Sequence, residues 1–148
     1  DRMLPNDAGR MLRAVWDELP VRFPGVDLDA FVVMPNHIHG IIVWTAPVGA
    51  PLVGAQSAAA MATGHGATTR VAPTLGDVVG AFKSLTTLEY VRGVKTMGWQ
   101  AFPGRLWQRN YYEHIIRDER ALNRIRRYID ENPLRWTLDD ENPHRATS

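Results

Sequence analysis

At 148 residues, 45% hydrophobic and 22% charged, the chain is long enough for one domain with its own core and has an ordinary globular composition. The formal net charge is only +1, so no partner can be read from the total. Cysteine is absent, which excludes disulfides, thiolate metal sites and cysteine nucleophiles together and suits a reducing cytoplasm.

Residues 7–18, DAGRMLRAVWDE, predict a helix with Asp7 as its N-cap and Met11, Leu12, Val15 and Trp16 at helical spacing; LPVRFPG then breaks it. LDAFVVM (28–34) and IHGIIVWT (38–45) are β-rich runs separated by Pro35-Asn36-His37, which predicts an antiparallel hairpin. Both runs are apolar on successive residues, so both faces of the sheet are expected to be covered. Residues 46–73 are rich in alanine and glycine, carry Arg70 as their only formally charged side chain, and read as a long flexible loop. From 74 to 95, Leu75, Val78, Val79, Phe82, Leu85, Leu88 and Val91 form one apolar stripe of an amphipathic helix. RLWQRNYYEHII (105–116) reads as a strand. Asp118 then caps a helix from about 119 to 132, which Pro133 stops. Trp136 is expected to anchor the tail, which reads as loosely ordered over 137–148. The whole is a single α+β domain over 1–148, a small antiparallel sheet with packed helices. No apolar run approaches a membrane span.

His37 and His39 are two of five histidines, one residue apart at a strand start. At period two both imidazoles project from one face and Ile38 from the other. Such a pair is either a metal clamp or a turn histidine beside a core one, and two ligands make an incomplete site. On the last helix Leu122, Ile125 and Ile129 form the buried stripe, with Tyr128 and Asn132 at i, i+4 on its flank. Separately, Tyr128 reads as an edge aromatic and Asn132 as a helix terminator. Together with the imidazoles they suggest more. Two neutral imidazoles and an amide oxygen leave positions open on a divalent ion. Such an ion could bind a phosphodiester oxygen, with Tyr128 beside the phosphate as nucleophile.

MPNHIHGIIV, LWQRNYYEHIIRDE and YIDENP strongly resemble segments of the IS200-like transposases, the single-tyrosine members of the HUH endonuclease superfamily, and above all the REP-associated tyrosine transposases. That resemblance covers most of the chain outside 46–73 and the tail. It implies an HUH-endonuclease fold with a ferredoxin-like or RRM-like palm; members normally open with a strand before the first helix, and this sequence starts at or after that point. It also implies a single-stranded DNA endonuclease and strand transferase that recognises DNA hairpins, needs Mg²⁺ or Mn²⁺, and forms a 5′-phosphotyrosine intermediate while releasing a 3′-OH. Its ligands would be His37, His39 and Asn132, and its nucleophile Tyr128.

No nucleotide cofactor or membrane is expected, the protein acting as a monomer or homodimer in a bacterial cytoplasm. A domesticated or truncated relative that grips hairpin DNA without cutting it is the alternative. Tyr111 and Tyr112 are rival nucleophiles, which on a strand would face opposite sides. For DNA contact, Trp107 and Tyr112 are candidates for stacking, Gln108 and Arg109 flank the site, His114 ends the strand in a structural or DNA-contacting role, and Lys83 is a candidate phosphate contact. Arg120, Arg124 and Arg127 share a helix face away from the core and are candidates for phosphate contact. His65 and His144 read as incidental.

Overall fold

A computed structural model of the chain describes residues 4–45, 73–140 and 142–143. The expectations for the loop at 46–72, for most of the tail, and for His65 and His144 lie outside those residues.

The first helix, α1, spans Asp7–Arg22. Its N-cap is Asn6, whose side-chain oxygen accepts from the Gly9 N–H at 2.9 Å; Asp7 instead lies inside the first turn and pairs with Arg10. The helix also runs past the expected break at residue 18, with Pro20 in its last turn. So near the end the proline removes a single helical hydrogen bond. The extra turn buries Leu19 completely.

Two strands follow, β1 (Val26–Val33) and β2 (Ile38–Trp44), as an antiparallel hairpin. The Met34 N–H donates to the His37 carbonyl at 2.8 Å and closes the turn. The pairing is interrupted between Leu28 and Phe31, where Asp29 and Ala30 together oppose Ile41 alone. This β-bulge has a consequence for the core. Strict alternation would put Leu28 and Phe31 on opposite faces; the extra residue brings both to the same one. On that face lie Val26, Leu28, Phe31, Ile38, Ile42 and Trp44.

Helix α2 (Leu75–Thr96) opens with a capping box in which Thr74 and Asp77 each bond the other's backbone N–H. It packs with α1 over the apolar face of the hairpin. Trp16 stacks on Phe31 with centroids 4.5 Å apart, and Phe82 meets Trp16 edge-on at 6.1 Å. Gly40 makes the first contact possible, because a Cβ there would lie 2.5 Å from the Trp16 ring. The expected stripe on α2 holds at Val78 and Phe82 but not at Leu88, which is exposed. Thr86 is buried in line with them: its hydroxyl donates to the Phe82 carbonyl and accepts the Trp107 indole N–H at 2.9 Å.

The segment 105–116 is not the strand that its sequence predicts. A strand needs a partner for its backbone, and among the described residues the sheet has only β1 and β2. Side chains hold the segment instead. Trp107 packs beside Phe82 and bonds Thr86, while the Lys83 ammonium donates to the Gln108 carbonyl at 2.8 Å and lies over the Tyr111 ring.

The last helix, α3, spans Glu119–Arg135 with Asp118 as its N-cap, as expected. It passes the expected stop at Pro133 by one short turn, supported by an Arg135–Glu131 ion pair, and tightens into a 3-10 turn at Trp136–Leu138. Contacts from α3 reach β1 and the face of β2 carrying His39. The α+β architecture is thus three layers deep: α1 and α2, the hairpin, then α3. Both faces of the hairpin are covered.

Candidate active site

Alternation along β2 separates support from chemistry. Ile38 and Ile42 belong to the core with α1 and α2, Gly40 lies under Trp16, and His39 points to the opposite side. His37 sits at the end of the turn and joins His39, with Nε2 atoms 3.1 Å apart and rings nearly perpendicular. The other nitrogen of His37, Nδ1, lies 2.6 Å from the Asn36 side-chain oxygen. That oxygen can only accept, so Nδ1 carries the hydrogen and the Nε2 lone pair faces His39. Asn36 thereby fixes the tautomer and the aim of the ring. Sequence reasoning treated it as a turn residue; its position next to His37 was the available signal.

His39 is half-buried. That burial, with the His37 imidazole close beside it, holds its imidazole below the ordinary value, and the Asp139 carboxylate acts the other way. A neutral ring keeps its lone pair available for coordination. Asp139 was not foreseen, lying in a tail read as loose.

Helix α3 brings its own residues to this pair. The Tyr128 ring stands 5.5 Å from the His39 ring, and the Trp136 ring 6.0 Å from that of His37. Residues 128, 132 and 136 are successive i, i+4 positions, so Asn132 lies on the helix between the two aromatics that touch the imidazoles. It is only 4% exposed, and its Nδ2 has no hydrogen-bond partner. An unpaired buried amide costs roughly 1–3 kcal/mol. Tyr128 is 55% exposed, so a ligand can reach its hydroxyl.

These residues fit a divalent cation. Two lone pairs 3.1 Å apart repel unless one nitrogen carries hydrogen or both face a cation. An ion held by both at about 2.1 Å would see them at roughly 95°, which tetrahedral and octahedral ions both accept. Among the described residues no three His, Cys, Asp or Glu side chains come together for a metal. Asn132 offers a donor of another kind: a half-turn of its amide puts an oxygen where the unpaired nitrogen stands.

The other candidates divide by what already holds them. Lys83 and Trp107 spend their polar groups inside the fold, on the Gln108 carbonyl and on Thr86. Arg109 and His114 are exposed, and Tyr112 is 93% exposed. Arg120, Arg124 and Arg127 line an open cleft of about 590 Å³ with Glu119 and Asn123. Among the described residues, Arg10, Arg13, Arg22, Arg92, Arg126 and Arg135 pair with carboxylates. The arginines with no such partner are Arg105, Arg109, Arg117, Arg120, Arg124 and Arg127, all within 105–127. The rival nucleophiles Tyr111 and Tyr112 lie on the segment tied to α2, and the tyrosine in ring contact with an imidazole is Tyr128.

No family model matches the chain, and no solved structure matches it. An uncharacterized protein of Haemophilus influenzae is 37% identical to it over 139 residues, which span 93% of this chain and 71% of that protein. Among the described residues no helix is long and apolar enough to cross a membrane.

Proposed function

This chain and the Haemophilus influenzae protein belong to one family, and we propose that its chemistry is metal-dependent nicking and rejoining of single-stranded or hairpin DNA, of the HUH endonuclease kind. The observation that carries this reading is the meeting of His37, His39 and an accessible Tyr128 in one chain, the imidazole nitrogens 3.1 Å apart and the phenol ring 5.5 Å from one of them.

His37, His39 and the Asn132 amide oxygen would hold Mg²⁺ or Mn²⁺. When bound, such an ion draws charge from a phosphate oxygen and eases attack at phosphorus. The Tyr128 oxygen attacks the phosphorus as its proton leaves to solvent or a nearby base. The bond from phosphorus to the 3′ oxygen breaks, and that oxygen takes up a proton to leave as a 3′-OH. The 5′ phosphate stays on Tyr128 as a phosphodiester of tyrosine. Attack by a 3′-OH on this link reverses the steps, so rejoining needs no nucleotide cofactor.

Two further features support a nucleic-acid substrate. Among the described residues, the arginines without protein carboxylate partners are confined to the stretch that leads into and along α3, which suits a phosphate-contacting surface. Tyr112 offers an exposed ring on the same stretch, suited to stacking on an unpaired base.

The test is a labelled single-stranded hairpin incubated with the protein and Mn²⁺, then resolved under denaturing conditions. A denaturant-resistant adduct is expected; EDTA and Tyr128→Phe should each abolish it, while Tyr128→Phe retains hairpin binding. An adduct that survives in Tyr128→Phe but disappears in Tyr111→Phe or Tyr112→Phe would overturn the assignment. Cleavage without an adduct would mean hydrolysis by water, and binding without cleavage a hairpin-gripping module.

A further inference from the structure

Within the bulge of β1 the Asp29 carboxylate accepts the Ala30 N–H at 2.7 Å. The same carboxylate turns toward α3 and meets Arg126 in a two-pronged contact, Nε to Oδ1 at 2.8 Å and Nη2 to Oδ2 at 2.5 Å. The remaining prong, Nη1, donates to Asn123 one turn earlier on the same helix at 3.0 Å. The guanidinium is therefore locked at one end to its own helix and at the other to the hairpin. The buried apolar residues of α3 are Ala121 and Ile129, and on the hairpin face that the helix covers Ile41 is buried as well. Apolar contacts tolerate a slide of the helix; a two-pronged fork fixes orientation as well as distance. Arg126 lies two residues before Tyr128, and alone among Arg120, Arg124, Arg126 and Arg127 it is paired with a carboxylate among the described residues.

We propose that Asp29 and Arg126 are positioning residues, whose fork sets the height and rotation of α3 on β1 and hence the place of Tyr128 beside the two imidazoles. This rests on the reading of Tyr128 as the nucleophile and adds what aims it. Neither residue touches the reacting atoms.

The test compares wild type with Arg126→Gln, Asp29→Asn and the double variant, after urea unfolding shows that each is folded. Three quantities are read: hairpin affinity, the rate of adduct formation at saturating hairpin and Mn²⁺, and the cross-peak between the Tyr128 and His39 rings in the NMR spectrum of Tyr- and His-labelled protein. Hairpin affinity should stay near wild type, whereas the adduct rate should fall about 10- to 100-fold, the scale expected of a displacement near 1 Å. The double variant should be no slower than the slower single, the ring cross-peak should be lost, and Arg126→Lys should recover part of the rate. The proposal is overturned if folded single variants keep both the rate and the cross-peak, or if their rate losses multiply in the double variant. Should Arg126→Gln not fold, Asp29→Asn carries the test, because its amide oxygen can still accept from Ala30. If wild type forms no adduct, the nucleophile reading fails, yet the cross-peak in the same variants still decides whether the fork places the ring.

Discussion

On one face of the hairpin, Trp16, Phe31 and Phe82 interlock with centroids 4.5 to 6.3 Å apart, over the fully buried Leu19 and Val78. On the other, α3 rests on Ile129 and Ala121 and is tied by the Asp29–Arg126 fork, with an exposed tyrosine and a buried unpaired amide beside two imidazoles. Stability is concentrated on the first face. The second holds polar groups in arrangements that a stability criterion alone would not favour, such as two imidazole nitrogens in contact. Because the strands alternate, the two demands fall on alternate residues of one short run, IHGII, without competing for the same side chains.

That contrast can be tested by removing one residue from each side. Trp16→Ala removes the ring that bridges α1, Phe31 and Gly40, and should cost about 3–5 kcal/mol in urea unfolding, enough to unfold a marginal domain. Ile129→Ala is the matching change on the α3 side. It should cost less, about 2–3 kcal/mol, because the thinner layer collapses more easily around the gap. It should also leave amide exchange in α1 and α2 near wild type. Equal costs, or equal loss of protection in α1, would break the distinction between the two faces.

The smallest effect concerns acid. The Arg126 hydrogen bonds hold the Asp29 carboxyl below its ordinary value of 3.8, against the opposing effect of burial. A carboxyl with a lower value in the folded chain than in the unfolded one adds stability above the unfolded value and loses it as pH falls through the folded one. Asp29→Asn should therefore unfold more easily than wild type near neutrality, with the difference shrinking below about pH 4. Urea midpoints measured from pH 7 down to pH 2 check this. A constant difference across that range would remove the fork from the acid response.

Much of the candidate site was legible in the sequence because it depends on local periodicity. Period two put His37 and His39 on one face, and the helical wheel put Tyr128 and Asn132 on the flank of Ile129. Two features were hidden because they depend on pairing rather than pattern. LDAF reads as unbroken strand, and only the partner residue Ile41 reveals that Asp29 and Ala30 share one place in the ladder. RLWQRNYYEHII has strand composition, yet composition cannot supply a neighbouring strand, and the segment is fastened through Trp107 and the Lys83 ammonium instead. Arg126 shows a third kind of gap. In sequence it is one arginine among several, and its role follows from a carboxylate 97 residues away.

That separation has a kinetic meaning. The hairpin is closed by a short turn, so its imidazole pair can form from contacts within a few residues. The fork closes a loop spanning most of the described chain, and non-local closures of this kind cost more chain entropy and are slower than local ones. The imidazole pair is thus placed by local contacts and the phenol by a distant one, and the three meet only where α3 is docked on the hairpin.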